Sequence, residues 1–199
     1  MLAITMLPDK FTIDEVKANF RFYEPITSQD SALRLCIYGI ASCLTRVPDK
    51  ALQYFKKTLF IDLDNTIGDT GGGLHSTTAA GSWAVLVMGF AGMKLIQGVL
   101  HFDPYLPDDC EGYTFNIRHR GCLVKVTVTD RLVTYALTKT PAGVEDLVLI
   151  HAGSNRIHLR KGASSTVRLI REIRVFGFDA VIFDLDSIVS NIERYHYEA

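Results

Sequence analysis

The stretch Gly71–Gly92, GGGLHSTTAAGSWAVLVMGFAG, decides the fold. A glycine-rich turn ends at Leu74 and His75, a run of small and hydroxyl residues follows, and Trp83 opens a long apolar helix. A loop that runs into a helix presents unsatisfied backbone N–H groups and the positive end of the helix dipole. Such a junction suits an anion, phosphate above all. The plainer reading is a tight turn into a core helix, with Gly81, Gly89 and Gly92 present for close packing.

Outward from that stretch, the upstream residues read as helices. Thr12-Ile13-Asp14-Glu15 is a capping box that starts a helix running to about Tyr23, with Pro25 after its end. Ser31–Leu44 carries helical periodicity through Leu33, Ile37, Ile40 and Leu44. Pro48 sits at a first-turn position ahead of Ala51, Leu52, Tyr54, Phe55 and Leu59. Met1–Leu7 reads as part of a further helix.

After Gly98 the period changes from helical to alternating. Val99–Phe102, Tyr113–Arg118, Leu123–Thr129, Leu132–Leu137, Leu147–His151 and Arg156–Arg160 alternate as half-buried strands do, separated by turn residues. An antiparallel sheet or small sandwich is expected. Lys161–Ser165 is soft and polar and reads as a linker. Phe176–Phe183 reads as a fresh strand that enters Asp184-Leu185-Asp186. The expected division is 1–98 helical, 99–162 β, 163–176 linker, and 177–199 the start of an α/β unit.

The totals bound the function. The chain has 199 residues, 48% hydrophobic and 22% charged, with a formal net charge of -1. It can bury a core, and its charge gives no footing for nucleic acid or an anionic membrane. Cys36, Cys43, Cys110 and Cys122 form no CxxC pair, and no histidine cluster has zinc-ligand spacing. Cys36 and Cys43 are expected on one buried helix face as reduced thiols of a cytoplasmic protein. No leader segment is expected at Met1–Leu7, and Trp83–Met93 is too short to span a bilayer.

Two stretches carry an apolar run feeding DxD: Leu59–Thr66, with Asp62 and Asp64, and Val181–Ile188, with Asp184 and Asp186. An apolar strand before DxDx[TV] is the nucleophile motif of haloacid-dehalogenase-like phosphotransferases, in which magnesium bridges carboxylate and phosphate oxygens. Ala51–Phe60 reads as helix rather than strand. Asp62 and Asp64 are therefore expected to cap and to satisfy backbone amides. A small magnesium-dependent phosphatase using them is the alternative.

MLPDKF at Met6–Phe11, Tyr23-Glu24-Pro25, Gly73-Leu74-His75, Ala80–Trp83, GFAGM at Gly89–Met93, Phe102–Pro107 and Phe115–Gly121 occur in order. Over roughly Met1–Arg160 this pattern resembles the C-terminal portion of the maltose, trehalose and kojibiose phosphorylases, glycoside hydrolase family 65. The resemblance implies the last helices of an (α/α) toroid followed by a small β domain. It implies inverting phosphorolysis of an α-glucoside to β-glucose 1-phosphate. A carboxylic acid protonates the leaving oxygen, and bound phosphate attacks the opposite face.

His75, Ser76 and Thr77 match the family's phosphate-binding loop, and its other phosphate-holding serines map near Ser31. Here the chain departs from the family's serine-rich run, reading Asp30-Ser31-Ala32-Leu33-Arg34, so Arg34 could supply a donor. The family's general acid lies on an upstream part of the toroid. Glu15 and Glu24 do not match it and read as cap and surface residues. The chain alone is expected not to phosphorolyse disaccharides.

AVIFDLD at Ala180–Asp186 and Tyr195-His196-Tyr197 resemble the first residues of β-phosphoglucomutase. That resemblance implies Asp184 as nucleophile, Asp186 as acid/base, and magnesium only where the mutase is complete. The phosphorylase part needs no cofactor, since phosphate is a substrate. Expected partners are disaccharide and phosphate in the parent enzyme, and the missing catalytic half or a second copy of the chain. A non-catalytic remnant that packs on that half is the other alternative. His101, His119, His151 and His158 read as surface or satisfied residues, Trp83 as core.

Overall fold

The computed structural model describes residues 1–169 except Pro8, Gln29, Asp30, Thr66, Ile67, Asp69, Asp108 and Asp109, with Thr70 as backbone alone. Beyond them it describes the backbone of residues 172–175 and 178–181. Five α-helices come first: α1 Leu2–Met6, α2 Ile13–Tyr23, α3 Ala32–Leu44, α4 Pro48–Phe60 and α5 Ser76–Ala84. The capping box starts α2: Thr12 N–H donates to Glu15 Oε2 at 2.8 Å, and Glu15 N–H to Thr12 Oγ1 at 3.3 Å. Such a cap is worth about 1 kcal/mol. Pro48 opens α4 as its first residue, where its missing N–H costs nothing.

Helix α3 is buried from Arg34 to Cys43 and has two working faces. Leu35, Tyr38 and Ala41 pack with Phe20 of α2 and Tyr54 of α4. Cys36, Ile40 and Cys43 pack with Val85 and Phe90 beyond α5. On that second face the backbones come close: a Cβ at Gly81 would overlap Cys36 Sγ, and one at Gly89 would meet Cys43 Sγ at 2.8 Å. From the other helix, a Cβ at Gly39 would meet Val85 at 3.0 Å. The packing reading of Gly81 and Gly89 therefore holds. The order of the pairs, 36 with 81, 39 with 85 and 43 with 89, makes α3 and α5 run parallel.

The helix opens at Ser76 rather than at Trp83. Trp83 lies two residues from both Gly81 and Val85, on the opposite side of the helix, and is 47% exposed. It is not a core residue. After Ala84 the helix widens into a π-helical segment, Val85–Phe90, in which Ala91 N–H donates to Leu86 O at 2.9 Å. The wider turn lets one segment serve two cores. Val85 and Phe90 face the helices, while Val87 and Ala91 join the β core. Gly92 ends it in the left-handed region, φ +57°, where a Cβ would meet Asp103 O at 2.5 Å.

Strand structure begins at Lys94, four residues after the π-helical segment. One sheet has the order β1 Lys94–Ile96, β2 Val99–Phe102, β6 Asp146–His151, β7 Asn155–Arg160. The other has β3 Gly112–His119, β4 Cys122–Thr129, β5 Leu132–Lys139, β8 Ser164–Arg168. Pairing is antiparallel except between β2 and β6, which are parallel with Leu100 opposite Leu149 and Phe102 opposite His151. Alternate residues meet in the sandwich core: Leu100, Phe102, Leu149 and Leu159 from one sheet, Phe115, Val124, Val126, Tyr135 and Leu137 from the other. Burying each such side chain contributes roughly 1.5–3 kcal/mol.

Ser164–Arg168 is strand and not linker. It pairs with β5, with Val167 opposite Val133 and Thr166 opposite Thr134. Its alternation is short and polar on the outer face, which is why composition read it as a spacer. Downstream, β9 Glu172–Val175 and β10 Phe178–Val181 form an antiparallel ribbon. The remainder of the 177–199 α/β start, including Asp184 and Asp186, lies outside the described residues.

The helices and the sandwich are tied at one seam. Arg46 Nη2 pairs with Asp103 Oδ2 at 2.7 Å, and its guanidinium stands 5.0 Å from the Tyr105 ring centre. Tyr105 N–H donates to Phe90 O at 2.9 Å.

Candidate functional site

Because α3 and α5 run parallel, their N-termini lie at the same end of the pair. Ser31 caps α3 by position, and His75 caps α5, with Ser76 and Thr77 as its first two residues. Neither helix start carries a side-chain cap hydrogen bond. Ser76 N–H donates to Leu74 O at 3.0 Å, Thr78 N–H to His75 O at 2.9 Å and Arg34 N–H to Ser31 O at 3.0 Å, so at this end the amides of Ala32, Leu33 and Thr77 are the ones that could meet an outside acceptor.

His75 is held by Asp62, which follows α4 across the glycine-rich loop. His75 N–H donates to Asp62 Oδ2 at 2.8 Å, and His75 Nδ1 lies 2.6 Å from Asp62 Oδ1. The two side chains are 23% and 18% exposed. The His75 side-chain bond, opposed by burial and aided by the backbone bond, holds the Asp62 carboxyl below the usual carboxylate range. Both of its oxygens are thus engaged by His75. Asp64 is exposed on the same turn. Among the described residues no group of three or more His, Cys, Asp and Glu side chains is placed to hold a metal ion. The expectation that Asp62 satisfies a backbone amide is met, and its ring contact is an addition that sequence reading missed. Asp184 and Asp186, with the magnesium they would hold, fall outside the described residues.

Arg34 lines the open groove that Ser31 also lines, and its buried Nε and Nη1 have no hydrogen-bond partner among the described residues. Its Nη2 donates to Glu24 O at 3.0 Å, and its guanidinium stands 4.9 Å from the Tyr38 ring centre. It is 5% exposed and turned toward α2 and α4. Glu24 itself is no surface residue. Its Oε2 accepts from Lys50 Nζ at 2.6 Å and its Oε1 from the Tyr54 hydroxyl at 2.9 Å. Burial alone would raise the Glu24 carboxyl, but those two bonds and the Lys50 and Arg34 charges leave it lowered. Glu15 is the helix cap expected of it.

An open groove of about 480 Å³ runs past Ser31, lined by Met1, Leu2, Tyr23, Thr27 and Leu33 among others. Leu2, Met6 and Leu7 of the first turns are 43–50% exposed. No helix among the described residues is long and apolar enough to cross a membrane. His151 departs from a surface reading: it is 3% exposed, with Nδ1 2.9 Å from the Tyr135 hydroxyl.

Comparison with known proteins agrees with this architecture. Residues 1–84 match the glycosyl hydrolase family 65 central catalytic domain, and residues 93–159 match the same family's C-terminal domain. The chain is 41% identical to a maltose phosphorylase of Bacillus subtilis over 68% of its own length and 18% of that protein's. It is 38% identical to an alpha,alpha-trehalose phosphorylase of Thermoanaerobacter brockii over 69% and 18%. A kojibiose phosphorylase of Halothermothrix orenii is 30% identical over 78% and 20%. A solved structure from the human microbiome, named for a kojibiose phosphorylase, superposes with a TM-score of 0.77 at 24% identity, covering 86% of this chain and 24% of that one. The chain spans about a fifth of the length of the curated relatives it matches. Across helices and sandwich alike, the chain belongs to glycosyl hydrolase family 65, joining a segment of the central catalytic domain to the C-terminal domain.

Proposed function

We propose that this chain is the phosphate-holding segment of an inverting disaccharide phosphorylase, which converts an α-glucoside and phosphate into β-glucose 1-phosphate and free sugar. The observation that carries the reading is the parallel pairing of α3 and α5 through Cys36–Gly81 and Cys43–Gly89. It sets Ser31 and His75, Ser76 and Thr77 at one end, with two uncapped helix starts. Phosphate held there is the nucleophile, and the helix dipoles and hydroxyls balance its charge.

The acid that protonates the leaving oxygen is supplied from the part of the family's catalytic domain that the chain does not match. Asp62 is committed to His75, and Glu24 to Lys50 and Tyr54. The exposed Leu2, Met6 and Leu7 form the surface on which that remaining part, or a second copy, would pack. The mutase resemblance of residues 177–199 rests on sequence alone, and no step runs through magnesium.

The test has two arms. Phosphate titrated into the ¹⁵N-labelled chain should shift the amides of Ser76, Thr77 and Ser31, and His75→Ala should abolish the shifts. The purified chain should not turn over maltose, trehalose or kojibiose with phosphate. Shifts centred elsewhere, or clear turnover, would overturn the proposal.

A further inference from the structure

We propose that Arg34 is the fixed positive charge of an oxyanion subsite at the start of α3, and that this subsite takes phosphate in preference to a carboxylate. The inference rests on the phosphate reading for the identity of the ligand, while the demand for an oxyanion stands on Arg34 itself.

Arg34 lies in the first turn of α3 and is 5% exposed, and a guanidinium keeps its charge when buried. Most of its N–H donors sit on Nε and Nη1. Both nitrogens are buried without an acceptor among the described residues. The third nitrogen, Nη2, donates to Glu24 O at 3.0 Å. A buried cation with idle donors is costly until an acceptor reaches it.

The charges nearby point the same way. Glu24 is the carboxylate that the Arg34 charge helps to keep ionised. Its own oxygens are taken by Lys50 Nζ at 2.6 Å and by the Tyr54 hydroxyl at 2.9 Å. Arg34 and Lys50 together therefore outnumber Glu24 by one positive charge.

The guanidinium is held in place by two aromatic rings, with centres 4.9 Å away for Tyr38 and 5.7 Å for Tyr54. Tyr38 is itself pinned. Thr27 Oγ1 gives its proton to Tyr23 O at 2.6 Å, so the Tyr38 hydroxyl must donate to Thr27 Oγ1, also at 2.6 Å. Thr27 and Tyr38 line the groove but have spent their protons. Donors left toward it include Arg34, the Ser31 hydroxyl, and the amides of Ala32 and Leu33 at the positive end of the helix.

The groove is open and measures about 480 Å³, ample for a small oxyanion. Nε and Nη1 point to different sides of the guanidinium, while first-turn amides point along the helix axis. A tetrahedral phosphate has oxygens facing several directions at once. A carboxylate presents two oxygens in one plane and matches a single edge of the guanidinium.

The experiment uses the full ¹⁵N-labelled chain, with the Arg34 Nε–H signal assigned by through-bond correlation to its backbone. Inorganic phosphate and acetate are titrated at constant ionic strength. Phosphate should shift Arg34 Nε–H and the amides of Ala32 and Leu33 along one saturation curve, and acetate should bind about tenfold more weakly. Arg34→Met should weaken phosphate binding about tenfold, and Arg34→Lys, which keeps the charge without the fork of donors, should recover part of it. An unmoved Arg34 Nε–H at saturating phosphate would overturn the proposal, whether or not the variants fold. So would acetate binding as tightly as phosphate. Shifts confined to Thr77 and its neighbours would keep the phosphate reading and remove the Arg34 subsite. Shifts at Arg34, Ala32 and Leu33 with none at Thr77 would keep the subsite and remove α5 from the phosphate reading.

Discussion

Cys36 Sγ occupies the space in which a side chain at Gly81 would begin. That contact fixes how near α3 and α5 approach and where along each other they lie. The same register carries Gly89 against Cys43 and brings the two helix starts level. Packing in the catalytic-domain segment and placement of the candidate phosphate site are therefore one relationship.

Gly81→Ala should destabilise the chain by about 1–3 kcal/mol, because overpacking outweighs the gain in helix propensity of about 1 kcal/mol. A lower urea midpoint with unchanged slope is the expected reading. Combining it with Cys36→Ala removes the clashing sulfur and should recover most of the loss, a coupling that double-mutant analysis reads directly. Additive losses would mean that the two residues do not share the space.

Glu24 joins Lys50, Tyr54 and, through its carbonyl, Arg34. Tyr54→Phe should cost about 1–2 kcal/mol, since a hydrogen bond to a charged group is lost. The folded-state carboxyl lies below its ordinary value of 4.5. The stability it contributes is therefore complete above that value and is lost as pH falls through the folded value. Stability of the wild type should decline on acidification below about pH 4.5, and the decline should be shallower in Glu24→Gln. Urea titrations at pH 3 to 6 check both.

Much of this architecture was legible beforehand. Thr12 with Glu15, Pro48, and the alternation of residues 113–137 carry local rules that need no tertiary context. What was not legible depends on contacts distant in sequence. Asp62 and His75 are separated by a glycine-rich loop, so nothing local shows that a DxD motif serves a ring nitrogen. That Arg34 is buried, with Nη2 on Glu24 O and its guanidinium beside Tyr38 and Tyr54, has no local signal either. Trp83 reads as core because its neighbours are apolar, but the helical phase set by Gly81 and Val85 turns it outward. The π-helical widening at Val85–Phe90 has no composition signature, since two cores impose it together.

His151 is buried beside Tyr135, and burial lowers its titration below the ordinary histidine value of 6.5. The folded chain holds it neutral, whereas the unfolded chain takes up a proton below that value. Its contribution is thus fully present above pH 6.5 and is lost as pH falls toward the folded value. Thermal stability should drop as pH falls below 6.5. His151→Gln, which keeps a hydrogen-bonding group for Tyr135 but cannot charge, should flatten that part of the profile. A profile identical to wild type would exclude His151 as its source.

The segment after Gly162 should be part of the folded sandwich. Strand β8 covers the edge of β5, Thr134 and Thr166 hydroxyls lie 2.9 Å apart across the pair, and Leu169 N–H donates to Arg131 O at 2.8 Å. Leu169 also buries its side chain in the β core. A chain ended after Gly162 would leave β5 as a bare edge, which both loses these bonds and invites pairing with another molecule. It should melt at a lower temperature and aggregate, whereas a chain ended after Leu169 should keep the melting temperature of the full chain. Size-exclusion chromatography and a thermal scan of the two truncations decide the matter. Equal behaviour of the two would show that residues 163–169 are the spacer their composition suggests.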